Sequence, residues 1–155
     1  MIRAILAADS EWGIGKNNSL PWPHNEDDQK WFKEMTQYHT IVMGRKTWES
    51  LPIKPLPNRE NIVVTSIDKI KGCSTLSIDN PPFKFIYKLR KLNSVWIIGG
   101  AQLIKTLIRE IDELYVSRIE GNWDCDSFLP CDVIEQRFSK VVIPHKTLHI
   151  EKWIS

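Results

Sequence analysis

The apolar runs of this chain are short, and helical segments separate them. That alternation constrains the fold more than any other feature, because strand, helix and strand in succession build a parallel sheet. Ile2–Ala8, Thr40–Met43, Asn61–Thr65, Val95–Ile98, Leu114–Ile119, Ser139–Ile143 and Leu148–Ile154 read as strands, and a weaker one covers about Ser74–Ile78. Helical spacing marks the segment around Asp28, a second that opens at Gly44-Arg45-Lys46-Thr47 and stops before Pro52, a third over Phe83–Leu92 and a fourth from Ala101 to about Ile108. The last two strands join through Pro144-His145-Lys146 as a hairpin. These elements predict a three-layer α/β fold with a central, mostly parallel eight-stranded sheet, an antiparallel C-terminal hairpin and about four flanking helices. At 155 residues the chain suffices for one domain, residues 1–155, burying roughly 68–70% of its unfolded surface.

Charged residues at 26%, hydrophobic residues at 42% and a formal net charge of +2 describe a soluble globular chain rather than a fibre or a disordered tail. The cations are scattered. Their densest patch, Lys84–Lys91, is interrupted by Phe85, Ile86, Tyr87 and Leu89 at helix-like spacing, so no nucleic-acid partner is expected. Asp9 stops the Ala4–Ala8 run, leaving it too short for a signal-peptide core or a membrane span, and no membrane association is expected. Cys73, Cys125 and Cys131 form no Cys-x-x-Cys pair, which reads as reduced thiols in a cytoplasmic protein. His24, His39, His145 and His149 lack the flanking ligands of a zinc site, so no metal is expected. His145 and His149 stand four apart, but Pro144 precedes them and their neighbours alternate like a strand, as exposed strand or turn histidines would.

One acid sits on an apolar stripe. At 100° per residue Asp28, Trp31, Phe32 and Met35 share a helix face, while Glu26, Asp27 and Lys30 point elsewhere. A carboxylate set against aromatic and thioether neighbours is costly unless a cation or a hydrogen-bond donor meets it. Asp28 therefore calls for a ligand. A loop punctuated by Gly13, Gly15, Asn17, Asn18, Pro21 and Pro23 runs directly ahead of this helix and forms a natural lid.

Two strand-to-helix junctions set backbone amides at a helix N-terminus, where phosphate can bind. Gly44-Arg45-Lys46-Thr47 adds two cations and a hydroxyl; Gly99-Gly100-Ala101-Gln102 permits close backbone approach without charge. Neither fits the Rossmann or P-loop fingerprint. Together with Ala7-Ala8, Ile14-Gly15, Leu20-Pro21-Trp22, Asp28 with Trp31-Phe32, Met43 through Ser50, Leu56-Pro57-x-Arg59, Ile97-Ile98-Gly99-Gly100 and Asp126-Ser127-Phe128-Leu129-Pro130, they stand in an order and spacing that is highly specific. In these motifs, and over nearly its whole length, the chain resembles the bacterial-type dihydrofolate reductases.

The resemblance implies hydride transfer from the nicotinamide of NADPH to 7,8-dihydrofolate, giving 5,6,7,8-tetrahydrofolate for one-carbon and thymidylate metabolism. It implies that Asp28 receives the 2-amino group and adjacent ring N–H of the pterin as a paired, charge-assisted contact, with the Ser117 hydroxyl in the same network. Burial would raise the Asp28 pKa and a cationic pterin would lower it. In the family's geometry Asp28 lies too far along the helix to protonate the acceptor nitrogen, so the implied donor is a water admitted near Leu20 and Trp22. Ile5, Ala7, Phe32, Leu51, Leu56 and Ile98 are implied to form the apolar slot that presses the rings together, and Arg59 to meet the glutamate-tail carboxylate. Arg45 and Ser66 match positions that hold the 2′-phosphate of NADPH, and Lys46 and Thr47 match pyrophosphate contacts. Ala8, Ile14, Gly44, Thr65, Gly99, Gly100, Ala101, Gln102 and Leu103 complete the implied cofactor contacts, and the Gly99–Gly100 link resembles the family's cis peptide. A monomer open to antifolate inhibitors is the expected form.

The chain departs from the family pattern at Gln29, where many relatives have an apolar residue touching substrate, and at Ile104, in place of an aromatic beside the nicotinamide. Ile53 resembles an insertion, and one extra residue separates Trp22 from Asp28. Taken singly, Trp22 and Trp31 are equally read as core aromatics and Arg59 as a solvated turn residue, and Ser66 and Ser117 carry no signal of their own. Two rivals share these residues: a reductase of a riboflavin-pathway pyrimidine on the same fold, and a folate- or NADPH-binding protein without turnover.

Overall fold

Strand alternation divides the side chains of this protein between two cores. In the computed structural model, which describes residues 1–155, the first strand β1 (Ile2–Ala8) sends Ile2, Ala4 and Ala8 into a cluster of 21 buried residues and Ile5 into a second cluster of 7. The remaining elements follow in order: β2 (Gly13–Gly15), α1 (Glu26–Thr36), β3 (Thr40–Gly44), α2 (Arg45–Ser50), β4 (Glu60–Val64), β5 (Ser74–Leu76), α3 (Phe83–Arg90), β6 (Val95–Gly99), α4 (Ala101–Leu107), a 3-10 turn at Ile108–Glu110, β7 (Glu113–Arg118), β8 (Ser127–Phe128), α5 (Cys131–Arg137), β9 (Ser139–Ile143) and β10 (His149–Ile154).

Eight strands form one sheet in the order β5-β4-β3-β6-β1-β7-β10-β9. Every pairing from β5 through β7 is parallel, and β10 runs antiparallel to both β7 and β9. Right-handed crossovers then decide which face each helix covers. The connections β1 to β3 and β3 to β4 move toward the β5 edge, so α1 and α2 cover one face, over the smaller core with Trp48, Phe32 and Trp31. The connections β5 to β6 and β6 to β7 move the other way, so α3 and α4 cover the opposite face with Phe85, Leu89, Ile104 and Leu107. The direction reverses between β3 and β6. Their carboxyl ends form the topological switch point, where open α/β sheets bind ligands.

The predicted eight-stranded sheet and its antiparallel end are present, but the helices number five. The unpredicted α5 has seven residues and one buried side chain, Ile134, too little for a helical period to register. The stretch read as open loop holds β2, paired antiparallel with β8 in a separate two-stranded sheet. At Lys16–Ser19 the amide of each end donates to the carbonyl of the other, at 2.8 and 3.0 Å, and Asn17 and Asn18 between them both have positive φ, 51° and 62°. That is the signature of a type I′ turn, in which asparagine is favoured.

Candidate active site

The helix α1 begins at Asn25, whose Oδ1 accepts the Asp28 amide at 3.1 Å and satisfies one of the free donors of the first turn. Once this cap sets the phase, the periodicity does the rest. Asp28, Trp31, Phe32 and Met35 are half-buried, and Glu26, Asp27 and Lys30 are exposed. Burial pushes the Asp28 carboxyl above the ordinary aspartate value, and the neighbouring Ser117 hydroxyl draws it partly back. Ser117 is buried on β7 opposite Ala7 of β1, so the central strands present this hydroxyl to the helix.

Beside Asp28 lies an apolar wall. Phe32, Leu51, Leu56 and Ile98 pack around the core that contains Ile5, and Ala7 is half-buried two residues further along β1. At the other end of α1 the Thr36 hydroxyl donates to the Phe32 carbonyl at 2.8 Å and accepts Arg59 Nη1 at 3.0 Å. Arg59 Nε donates to the Pro57 carbonyl at 2.9 Å, and the guanidinium carbon is 5.8 Å from the Phe32 ring centroid. Burial lowers the pKa of this arginine, and Nη2 has no hydrogen-bond partner in the chain. Thr36 follows Asp28 by eight positions of helix, about 12 Å of axial rise. An acid and a cation thus flank this apolar packing at the two ends of α1.

The second half of the site is the switch point. Met43 of β3 pairs with Gly99 of β6, which sets the N-termini of α2 and α4 side by side. The Gly99–Gly100 peptide is cis, as the resemblance implied. A Cβ on Gly99, whose φ is +136°, would lie 3.3 Å from Thr47 Oγ1, and one on Gly100 3.4 Å from the same oxygen. The glycines leave backbone and a threonine hydroxyl at the floor of the junction. Arg45 and Lys46 are exposed at its rim, and Arg45 Nε is held by Glu49 Oε1 at 2.9 Å. Thr65 and the exposed Ser66 follow β4, the neighbour of β3. Ala101 and Gln102 open α4, while Leu103 turns into the larger core. No three His, Cys, Asp or Glu side chains converge as a metal site would require.

The structure therefore gathers Ile5, Phe32, Leu51, Leu56 and Ile98 on the core beneath α1, with Asp28 and Ser117 toward one end of that helix and Arg59 at the other, and sets Gly44 through Thr47, Thr65, Ser66 and Gly99 through Gln102 at the ends of neighbouring strands. Trp22 is 7% exposed and Leu20 60% exposed, both on the loop ahead of α1. A hollow of about 500 Å³ adjoins that loop between Trp22 and Trp123, and Asp28 does not line it. Ala8 is fully buried and Ile14 packs on the same larger core, so their side chains face away from the slot. Ile104 is fully buried in that core as well. Gln29 is exposed and pairs with His24 at 3.0 Å.

One buried acid escaped the sequence reading. Asp9 is 0% exposed and accepts the amides of Glu11, Gly13 and Trp123 at 2.9, 2.8 and 3.0 Å and the Cys125 thiol at 3.6 Å. Burial alone would raise this carboxyl, but the three amides and the thiol hold it below its ordinary value. The only signal in the sequence is an acid closing a buried strand just before a glycine-bearing loop.

The family described as dihydrofolate reductase matches the chain over residues 1–148. Over 133 residues the chain is 41% identical to the dihydrofolate reductase of Bacillus subtilis strain 168, covering 84% of this chain and 76% of that protein. Over 159 aligned positions it is 37% identical to that of Staphylococcus aureus, covering 94% of each. Among solved structures, a dihydrofolate reductase from Enterococcus faecalis complexed with NADP(H) and RAB-propyl superposes with a TM-score of 0.85 at 33% identity, over 99% of this chain and 95% of that one.

Proposed function

The chain belongs to the dihydrofolate reductase family, and on that premise we propose how its residues divide the work of reducing 7,8-dihydrofolate to 5,6,7,8-tetrahydrofolate with NADPH. The observation that carries the assignment is the half-buried Asp28, whose burial raises its pKa and is offset only in part by the neighbouring Ser117 hydroxyl. A pterin edge offers two N–H donors side by side, the complement of a carboxylate short of donors. Asp28 binds that edge, and Ser117 fixes the rotamer of the acid.

The ring lies in the slot of Ile5, Ala7, Phe32, Leu51, Leu56 and Ile98, which excludes water and holds the reacting faces together. The benzoyl-glutamate tail runs along α1 toward Arg59. The separation of about 12 Å along the helix suits that length, and Nη2 remains available for a carboxylate.

NADPH fits the glycine-floored junction, where a Cβ on Gly99 would press on the Thr47 hydroxyl and one on Gly100 would touch it. Arg45 and Ser66 hold the 2′-phosphate, Lys46 and Thr47 the pyrophosphate, and the backbone at Gly44, Thr65 and Gly99 through Gln102 the remainder. When bound, NADPH supplies the hydride. Leu20 and Trp22 close over the slot and admit the one water that delivers the proton, while ionised Asp28 polarises the pterin toward accepting it. No helix is long and apolar enough to cross a membrane. We read the working form as one cytoplasmic domain and a monomer, because a single chain supplies every residue of the site. Antifolate inhibitors that present paired N–H donors compete at Asp28.

The deciding assay follows NADPH absorbance after dihydrofolate is added to the purified chain. Steady decay is expected. Tight NADPH binding without decay would identify a binding protein that does not turn over.

A further inference from the structure

A buried ion pair sits at the root of the loop that carries Leu20 and Trp22, on the face of the sheet opposite Asp28. Arg118 follows Ser117 at the end of β7, and the alternation of the strand turns its side chain to the far face. Its Nε donates to Glu151 Oε1 at 2.9 Å, and its Nη1 donates to the Asp9 carbonyl at 2.9 Å. The guanidinium carbon lies 3.8 Å from the Trp12 ring centroid, and Trp12 in turn meets Trp153 at 5.3 Å. Glu151 is 5% exposed and also accepts the Trp153 indole N–H at 3.1 Å, with His149 Nε2 3.3 Å from its second oxygen. Burial by itself would raise the Glu151 carboxyl, but Arg118 and the indole hold it below the usual range.

Stability alone does not account for this arrangement. A buried ion pair is often no more stabilising than well-packed apolar residues of the same size, which directs attention to the geometry it holds. There is a geometry here to fix. Trp12 has a φ of +65°, a left-handed conformation that a bulky side chain adopts only under constraint. The cation over its ring and the hydrogen bond from the Trp12 amide to the Asp9 carbonyl, at 3.1 Å, supply that constraint. Arg118 therefore grips the turn twice, at the Asp9 carbonyl and at the Trp12 ring, while Glu151 holds the remaining edge of its fork. A lysine could not make three such contacts at once.

We propose that Arg118, braced by Glu151, is a positioning residue for hydride transfer: it locks the Asp9–Trp12 turn and so sets where Leu20 and Trp22 close over the reacting rings. This rests on the reading of Leu20 and Trp22 given above. The test compares wild type with Arg118→Met and Glu151→Gln, each normalised to folded sites titrated with NADPH. In Arg118→Met, kcat should fall about tenfold with a larger primary isotope effect from deuterated cofactor, while both KM values change less than about threefold. Amide exchange over residues 11–24 should accelerate about tenfold in the free protein, with β3 and β4 unaffected. If Arg118→Met fails to fold, the same readouts on Glu151→Gln decide. Wild-type kcat and isotope effect in a folded variant would overturn the proposal, as would unaltered exchange over 11–24 accompanied only by a lower Tm. A wild-type chain that does not reduce dihydrofolate would sink the assigned reaction, and the exchange measurement would still judge Arg118.

Discussion

Asp9 and Asp28 are two carboxylates withdrawn from water on either side of one loop, and their pKa values move in opposite directions. Asp9 is the more buried of the two, yet it is held low because three amides and a thiol point at it. Asp28 keeps partial contact with solvent, yet burial holds it high, and the lone Ser117 hydroxyl draws it only partly back. Surface exposure alone therefore does not distinguish a structural acid from a functional one. The number of donors the chain itself supplies does: Asp9 is fully served, and Asp28 has been left acceptor capacity that an incoming molecule can fill.

The contrast breaks most directly at Asp28. Asp28→Asn should keep the fold and NADPH binding but lose about 10²–10³ in turnover at neutral pH, since the amide cannot supply the anion that holds and polarises the pterin. Near-normal steady-state rates across neutral pH would place Asp28 with Asp9 as a framework acid. Next in size is Asp9→Asn, which should cost about 2–4 kcal/mol of unfolding free energy in urea titrations, because an NH₂ group replaces one acceptor among converging N–H donors. The sign with pH follows from the lowered pKa. The stability Asp9 contributes is fully present above the ordinary aspartate value and disappears as pH falls through the lower folded value, so variant and wild type should converge in strong acid. Persistence of the full deficit there would show that shape, not charge, matters at Asp9.

A third test concerns the junction. Arg45→Ala should weaken NADPH about tenfold and NADH by less than twofold in fluorescence titrations. Equal losses would remove Arg45 from the 2′-phosphate. The smallest effect returns to Asp28. Its folded pKa is raised, so ionisation opposes folding, and Asp28→Asn should slightly stabilise the ligand-free protein at neutral pH. That gain should vanish as pH falls through the raised value toward the ordinary one, and thermal melts that show destabilisation at neutral pH instead would contradict it.

The readability of these two acids from sequence differed for a physical reason. Asp28 lies in a helix, where partners three and four positions away share a face, so the stripe with Trp31, Phe32 and Met35 is visible in a short window. The partners of Asp9 are not local: Trp123 is 114 positions away. The grip of Arg118 on the Asp9 carbonyl spans 109 positions and leaves no periodic trace. The sheet was legible because apolar strands and helical spacing alternate, and its parallel order follows from handedness once the strands are known. The helix α5 and the β2–β8 pair were not, because elements of seven, three and two residues carry too little pattern.

The close fit of Gly99 and Gly100 against Thr47 has a consequence for engineering cofactor preference. A side chain at Gly99 would have to adopt a φ of +136° and sit 3.3 Å from Thr47 Oγ1, so that position resists substitution. Redesign toward a different nicotinamide donor has to work from the rim inward, beginning with the solvent-facing Arg45 and Ser66, where a change of charge disturbs no packing.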